Sequence, residues 1–214
     1  MRFALASIAL LVPLAAAAPA SAAELSGMGA DLFGNYFHFG QPNLQKPPVR
    51  GMTAGGVRID LQHTKLSTLR AAFGGTIQTE GSEGSLASWL CYHTNGSKTE
   101  PAANTWFISN ILGGGEFVMI VAVEADDSTP DDCGPAPARF SLPKMGIPGL
   151  GESSSALRNA LGFSGGSKIT YRADVPAADG LGTADNAQYL AYVLSGGVIA
   201  AYGVGETSVN SPKN

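Results

Sequence analysis

The stretch WFISNIL at residues 106–112, followed by three glycines, decides the expected fold, because a second stretch repeats its pattern. That second stretch is QYLAYVL at residues 188–194, followed by Ser-Gly-Gly. Each stretch has the length and the apolar, aromatic content of a strand, and each glycine cluster can turn the chain into a second apolar run. The sequence therefore predicts two similar antiparallel hairpins, in which Glu124 and Glu206 occupy equivalent positions.

A short helix is predicted before each hairpin. Residues 68–74 read TLRAAFG and residues 156–162 read ALRNALG, with apolar side chains at helical spacing and a closing glycine. Thr64 is the expected N-cap of the first helix, and Ser153 is that of the second. Because the elements recur in one order, we predict an α+β fold of two tandem repeats. Each repeat is a helix on a three- or four-stranded antiparallel sheet, in two layers.

The amino-terminal residues have the pattern of a secretory signal peptide. Arg2 precedes an uncharged apolar run, and Ala20-Ser21-Ala22 is a small-x-small cleavage pattern. The apolar run is shorter than the roughly 20 residues that span a bilayer, and no later stretch is long and apolar enough. We therefore predict a periplasmic or secreted protein without a membrane span.

Composition and the repeats divide the chain into segments. The 28 glycines and 13 prolines favour short strands with many turns, and a formal net charge of −4 leaves no basic surface for nucleic acid. The predicted segments are a signal peptide (1–23), an irregular arm rich in glycine, proline and aromatic residues (24–56), a first repeat (57–125), an acidic proline-rich linker loop (126–145), a second repeat (146–207) and a tail (208–214).

Cys91 and Cys133 are the two cysteines of the chain. A lone pair in an oxidising compartment is expected to form a disulfide. The alternatives are a metal site or a catalytic thiol, but the sequence has no Cys-x-x-Cys motif and no His/Cys cluster at ligand spacing. We therefore predict a Cys91–Cys133 disulfide, no metal site and no cofactor.

Sequence motifs do not identify a catalytic residue, so a non-enzymatic role is predicted. Residues 141–144 match Ser-x-x-Lys, but Pro143 disrupts the helical turn that this motif requires, and its companion motifs do not occur. The three histidines lie on different predicted elements and are interpreted as surface or packing residues; they are His38, His63 and His93.

The stretch GLGESSSALRNALG at residues 149–162 resembles a pattern of the beta-lactamase-inhibitor-protein-like superfamily, in which a glycine and hydroxyl segment leads into a helix that ends in Leu-Gly. The resemblance implies two helix-plus-sheet repeats over residues 57–207, whose concave sheet would grip a partner protein. The single cysteine pair, the lack of a lipobox cysteine and the proline-rich arm depart from that superfamily. Its partner-gripping residues follow no motif, so none is carried over.

A sheet face and the acidic linker loop are the predicted binding surfaces. Aromatic side chains on an uncovered sheet face commonly anchor protein interfaces, and Trp106, Tyr189 and Tyr192 lie on predicted strands. The sequence leaves open which sheet face is exposed. The linker loop, as a rim of the same surface, adds the candidates Asp126, Asp127, Asp131 and Asp132.

These features predict an exported protein-binding or inhibitor-type module whose partner is another envelope or extracellular protein. Two alternatives remain. One is a periplasmic hydrolase of unknown type, which would need a pocket with convergent titratable groups. The other is an envelope protein that binds a small ligand or calcium, although the acidic loop lacks the EF-hand pattern.

Overall fold

A computed structural model describes residues 23–35, 40–81, 85–98, 100–162, 165–175 and 185–209. The predicted signal peptide at 1–23 lies outside the described residues except for Ala23. The predicted tail at 208–214 also lies mostly outside them. Three aromatic residues of the predicted arm, Tyr36, Phe37 and Phe39, also lie outside them, and so does His38, which is predicted to be a surface or packing residue.

The described chain is α+β, with three helices and a mostly antiparallel sheet. In chain order the elements are α1 (Gly27–Asn35), β1 (Met52–Ala54), β2 (Val57–Ile59), α2 (Leu66–Phe73), β3 (Gln78–Glu80), β4 (Ala87–Thr94), β5 (Ala103–Asn110), β6 (Ile120–Ala125), β7 (Gly134–Pro135), α3 (Ser154–Leu161), β8 (Lys168–Val175), β9 (Asp185–Ser195) and β10 (Val198–Val209). The main sheet has the order β3-β4-β5-β6-β10-β9-β8, and β7 adds a short parallel pairing to β4. Strands β1 and β2 form a separate hairpin.

The two predicted helices are present, but only one has the predicted cap. The Ser153 side chain accepts a hydrogen bond from the Ala156 N–H, and Gly162 ends α3 with a φ of 86°. The Thr64 prediction is wrong, because the N-cap of α2 is Lys65, which makes no side-chain cap bond. The Thr64 hydroxyl instead accepts a 2.9 Å hydrogen bond from the Asp60 N–H and closes the turn before the helix.

Helices α2 and α3 pack on one face of the sheet. Leu66, Leu69 and Phe73 are the buried residues of α2, and Leu157 is the buried residue of α3. Burial of these apolar side chains is the main favourable term that holds the helices in place. The strand side chains of the same cluster include Leu90, Tyr92, Phe107, Val121, Leu190 and Tyr192.

Helix α1 packs on the opposite face, against strands β5, β6 and β10. Met28 and Leu32 of α1 belong to a second buried cluster with Trp89 and Trp106. Neighbouring side chains of a strand point to opposite faces. Phe107 belongs to the cluster of α2 and α3, so Trp106 points to the other face and lies under α1. The open sheet face expected from the sequence is therefore covered where α1 lies.

The finding of α1 differs from the irregular arm predicted over residues 24–56. Glycines in that arm indicated irregular structure, since glycine disfavours helices. In the structure, Gly29 lets the helix approach the sheet closely, because a Cβ there would lie 2.8 Å from Cγ of Trp106. Tertiary packing therefore outweighs the poor helix propensity of this segment.

A disulfide joins Cys91 of β4 to Cys133, as predicted, with the two Cα atoms 4.4 Å apart. It ties the end of the acidic loop to the sheet, next to the short pairing of β7 with β4. In the part of the chain that the structure describes, no helix combines the length and apolar character needed to cross a membrane.

Candidate functional site

The three aromatic residues predicted to anchor a partner are buried. Trp106, Tyr189 and Tyr192 are each no more than 1% exposed. Trp106 and Tyr189 lie in the cluster that includes α1, and Tyr192 stacks on Tyr202 on the other face, with ring centroids 5.9 Å apart. These side chains have no surface to present to a partner, which corrects the expectation that they lie on an exposed sheet face.

Other apolar side chains are exposed, and they lie at turns. Among the described residues, the exposed large hydrophobic side chains are Ile111, Leu112 and Val198. Ile111 and Leu112 follow the end of β5, and Val198 begins β10. Binding by a flat aromatic sheet face therefore remains a prediction that no described exposed aromatic residue supports.

Asp132, one of the four predicted loop residues, is an internal residue. It is 4% exposed, and one of its carboxylate oxygens accepts hydrogen bonds from the indole nitrogens of Trp89 at 3.1 Å and Trp106 at 2.9 Å. The other oxygen accepts a 2.7 Å hydrogen bond from the Ser26 hydroxyl, just before α1. Asp132 is therefore a structural acceptor that joins α1 to the sheet, which corrects its placement on an exposed binding rim.

The other three loop aspartates lie nearer the surface. Asp127 and Asp131 are exposed. The carboxylate of Asp126 accepts hydrogen bonds from the backbone N–H and the hydroxyl of Ser128, and these bonds lower its pKa below the ordinary value. The role of Asp126, Asp127 and Asp131 in binding a partner stays a prediction.

One group of potential metal ligands occurs among the described residues. Its members are Cys91, Asp132 and Cys133, whose ligand atoms lie within 4.8 Å of one another. Both sulfur atoms belong to the disulfide and cannot act as thiolate ligands. This group is therefore explained by the structural contacts of Asp132 rather than by a metal.

A cavity of about 480 Å³ lies where the segment before β1 crosses the ends of β9 and β10. Gln188 of β9 and Glu206 of β10 are directly paired at this position. The segment that follows β2 forms the adjacent wall. It is fixed in place by a 2.8 Å hydrogen bond from the Gln62 N–H to the Val118 carbonyl. The apolar part of the lining consists of Pro47, Val49, Met52 and Leu61.

Gln188 fixes one wall of this pocket. It is 2% exposed, its amide oxygen accepts a 2.9 Å hydrogen bond from the Val49 N–H, and its amide nitrogen donates a 2.8 Å bond to the Val49 carbonyl. Two bonds to one backbone unit define both the position and the amide orientation of the side chain. Gln188 also forms a hydrogen bond with Glu206.

Glu206 places a carboxyl group in the pocket. Partial burial raises the pKa of this carboxyl above its ordinary value, and the hydrogen bond from Gln188 and the nearby His63 act in the opposite direction. Desolvation is the largest of these effects. A carboxyl that has lost part of its water in this way gains from a ligand that donates hydrogen bonds.

His63 and Arg50 provide the remaining polar groups of interest. Nδ1 of His63 lies 2.9 Å from the Leu61 carbonyl, and a carbonyl only accepts, so Nδ1 carries the hydrogen. Arg50 is exposed, and no hydrogen bond or ion pair joins its guanidinium to another residue of the described ranges.

Asp60, on the same wall, already has a partner. Its two carboxylate oxygens accept bonds of 2.8 Å from Nε and a terminal nitrogen of Arg58. The described lining residues include no serine, threonine, cysteine or lysine. The pocket therefore offers binding groups and a titratable carboxyl, but no side-chain nucleophile of these types.

Sequence reasoning missed this pocket. His63 was considered only as a surface or packing residue. Glu206 was noted as the repeat equivalent of Glu124 and given no role. The available signal was a carboxyl group within the apolar run VIAAYGVGET of residues 198–207. The equivalent Glu124 also makes a specific contact, since its carboxylate accepts a 2.8 Å hydrogen bond from the Met28 N–H of α1.

Comparisons of this chain with protein-family models, curated proteins and solved structures found no match. The resemblance of residues 149–162 to the beta-lactamase-inhibitor-protein-like superfamily therefore stays a prediction. Function is inferred from the contacts and charges of the chain itself.

Proposed function

We propose that this chain is an exported, non-enzymatic binding protein that holds a small polar molecule in the pocket next to Glu206. The observation that carries the proposal is a partly buried carboxyl, paired on the sheet with the fixed Gln188, that lines a cavity of about 480 Å³. Small-molecule sites typically combine an apolar lining with a few convergent polar groups, in cavities of roughly 300–1,000 Å³.

Binding is favoured over hydrolysis by the composition of the lining. Glu206 and His63 could exchange protons with a bound molecule, and a hydrolase needs such groups. The described lining lacks serine, threonine, cysteine and lysine, which narrows the hydrolytic mechanisms open to it. The polar groups that are present account for binding and orientation of a ligand.

A protein-gripping sheet face has less support than the pocket. Its proposed anchors are buried, and α1 covers part of the face opposite α2 and α3. The pocket, by contrast, is open and includes the Arg50 guanidinium, to which no other described residue is joined by a hydrogen bond or ion pair. A small molecule is therefore the better-supported ligand.

Two further points belong to this proposal. The order of elements supports a tandem repeat, because α2 precedes β4, β5 and β6, α3 precedes β8, β9 and β10, and the two sets meet where β6 pairs with β10. A disulfide-bonded chain is suited to an oxidising compartment, which supports a periplasmic or secreted location.

The proposal is tested by a thermal-shift screen of the full chain, purified after export with its disulfide intact. The screen contains sugars, amino acids, amines and carboxylates at millimolar concentration. A ligand that binds only the folded state raises the melting temperature, with about 2.7 kcal/mol of stabilisation at 100 times its Kd. Each hit is then repeated with Glu206→Ala and with the exposed-loop control Asp127→Ala.

The expected result is a compound whose effect is lost in Glu206→Ala and retained in Asp127→Ala. A screen without hits would overturn the proposal. Hits that stabilise Glu206→Ala and the wild-type protein equally would also overturn it, because the ligand would then bind elsewhere.

A further inference from the structure

The polar groups of the Glu206 pocket fall into an accepting side and a cationic side. Glu206 forms the accepting side, and the Gln188 amide paired beside it is committed to the Val49 backbone. A ligand group that satisfies this side must therefore donate hydrogen bonds. An ammonium group also balances the charge of the carboxylate, which a neutral donor cannot do.

Arg50 forms the cationic side. It follows Val49, whose backbone is fixed by Gln188, so the start of its side chain is held at the rim of the same cavity. Asp60 does not neutralise it, because both Asp60 oxygens are bound by Arg58. An arginine without an internal acceptor can bind a ligand carboxylate in a bidentate manner.

We propose that the ligand of this pocket is a small zwitterion, an α-amino acid or a short peptide, with its ammonium group at Glu206 and its carboxylate at Arg50. This inference depends on the proposed small-molecule function. The apolar part of the lining, which consists of Pro47, Val49, Met52 and Leu61, is suited to an aliphatic side chain.

The test uses isothermal titration calorimetry on the full exported chain. The probes are the twenty standard amino acids, the dipeptide alanyl-leucine and two truncated analogues. Leucinamide keeps the ammonium group and lacks the carboxylate, whereas 4-methylpentanoate keeps the carboxylate and lacks the ammonium group. Glucose is the neutral polar probe.

The expected result is that at least one amino acid or the dipeptide binds, and that leucine binds at least tenfold more tightly than either analogue. Each variant removes one part of this preference. Arg50→Gln abolishes the advantage of leucine over leucinamide, and Glu206→Gln abolishes its advantage over 4-methylpentanoate. Lys46→Gln, an exposed substitution outside the lining, leaves both advantages unchanged.

Three results overturn the inference, and they separate it from the proposed function. If glucose or one truncated analogue binds through Glu206 as tightly as leucine, the zwitterion fails and the small-molecule function stands. If the amino acids and the dipeptide all fail to bind while another compound of the thermal-shift screen binds, the zwitterion again fails and the small-molecule function again stands. If no compound binds in either assay, both proposals fail.

Discussion

The Trp106 indole nitrogen donates a 2.9 Å hydrogen bond to the Asp132 carboxylate inside the protein, between the sheet and the start of α1. The indole of Trp89 donates to the same oxygen at 3.1 Å, and the Ser26 hydroxyl donates to the other oxygen. A buried carboxylate is costly unless its acceptor positions are filled. Here neutral donors fill them from β4, from β5 and from the residue before α1, so Asp132 joins these three parts of the fold.

Replacement of Asp132 by asparagine is expected to lower the free energy of unfolding by about 2–3 kcal/mol, since hydrogen bonds to charged groups are worth about 1.5–3 kcal/mol. The new amide nitrogen would also face donors instead of accepting from them. Urea unfolding at pH 7 measures the change. The matched control, Asp127→Asn in the exposed part of the same loop, should change the stability by less than about 0.5 kcal/mol. Equal effects of the two substitutions would contradict the structural role of Asp132.

Two alanine substitutions in α1 are expected to have opposite signs. At Gly34 no atom of the described residues lies within 4 Å of the position that an added methyl group would occupy, so Gly34→Ala should stabilise the protein by up to about 1 kcal/mol through helix propensity. Gly29→Ala gains the same propensity, but its Cβ would lie 2.8 Å from Cγ of Trp106, and such overpacking costs about 1–3 kcal/mol. Thermal and urea unfolding measure both variants. Stabilisation by Gly29→Ala would show that α1 does not pack closely on Trp106.

The sequence was most informative where local patterns determine the element. The two hairpins with their glycine turns and the Ser153 cap depend on neighbouring residues, and they are present, although β5 ends at Asn110, before the end of the predicted strand at Leu112. Helix α1 was missed because its stability comes from a distant contact between Gly29 and Trp106, which propensity does not record. The predicted Thr64 cap is wrong for a different reason, since the Thr64 hydroxyl accepts from the nearby Asp60 N–H instead of from the helix.

The pocket could not be predicted from local patterns. It combines residues before β1 and after β2 with Gln188 and Glu206, which only the sheet register brings together. The burial of Trp106 was equally hidden, because α1 decides which strand face is covered. A carboxyl in an apolar strand was the one local signal, and it indicates a special environment without naming the contacts.

Removal of the disulfide is expected to destabilise the protein without changing its secondary structure. The bond spans a sequence separation of 42 residues, and closure of a loop of this size is worth about 4 kcal/mol in the chain-entropy model. The double variant Cys91→Ala and Cys133→Ala should therefore unfold at a lower urea concentration, by an amount that corresponds to about 2–4 kcal/mol. Reductant should lower the stability of the wild-type protein and leave the double variant unchanged. A double variant as stable as the oxidised wild-type protein would contradict this prediction.

The pH dependence of stability should reveal the desolvation of Glu206. Burial raises the pKa of this carboxyl in the folded state, so the folded protein holds the proton more tightly than the unfolded chain, whose glutamate pKa is about 4.3. Stability is therefore lost as the pH rises from the unfolded pKa through the raised folded pKa. The groups facing the carboxyl are Gln188 and His63, and both favour its charged form without cancelling the effect.

Glu206→Gln removes this charge and keeps an acceptor for Gln188. The variant is expected to be more stable than the wild-type protein at pH 7. The difference should shrink as the pH falls through the raised folded pKa of Glu206, and it should vanish below about 4, where the wild-type carboxyl is protonated in both states. Urea midpoints measured between pH 3.5 and 8 test this relation. Glu100→Gln, an exposed substitution, should show no such pH-dependent gain. The contrary result is a variant that is less stable than the wild-type protein at pH 7 and equal to it at low pH. It would mean that the folded state stabilises the Glu206 carboxylate. The binding proposal, which depends on a desolvated carboxyl, would then lose its support.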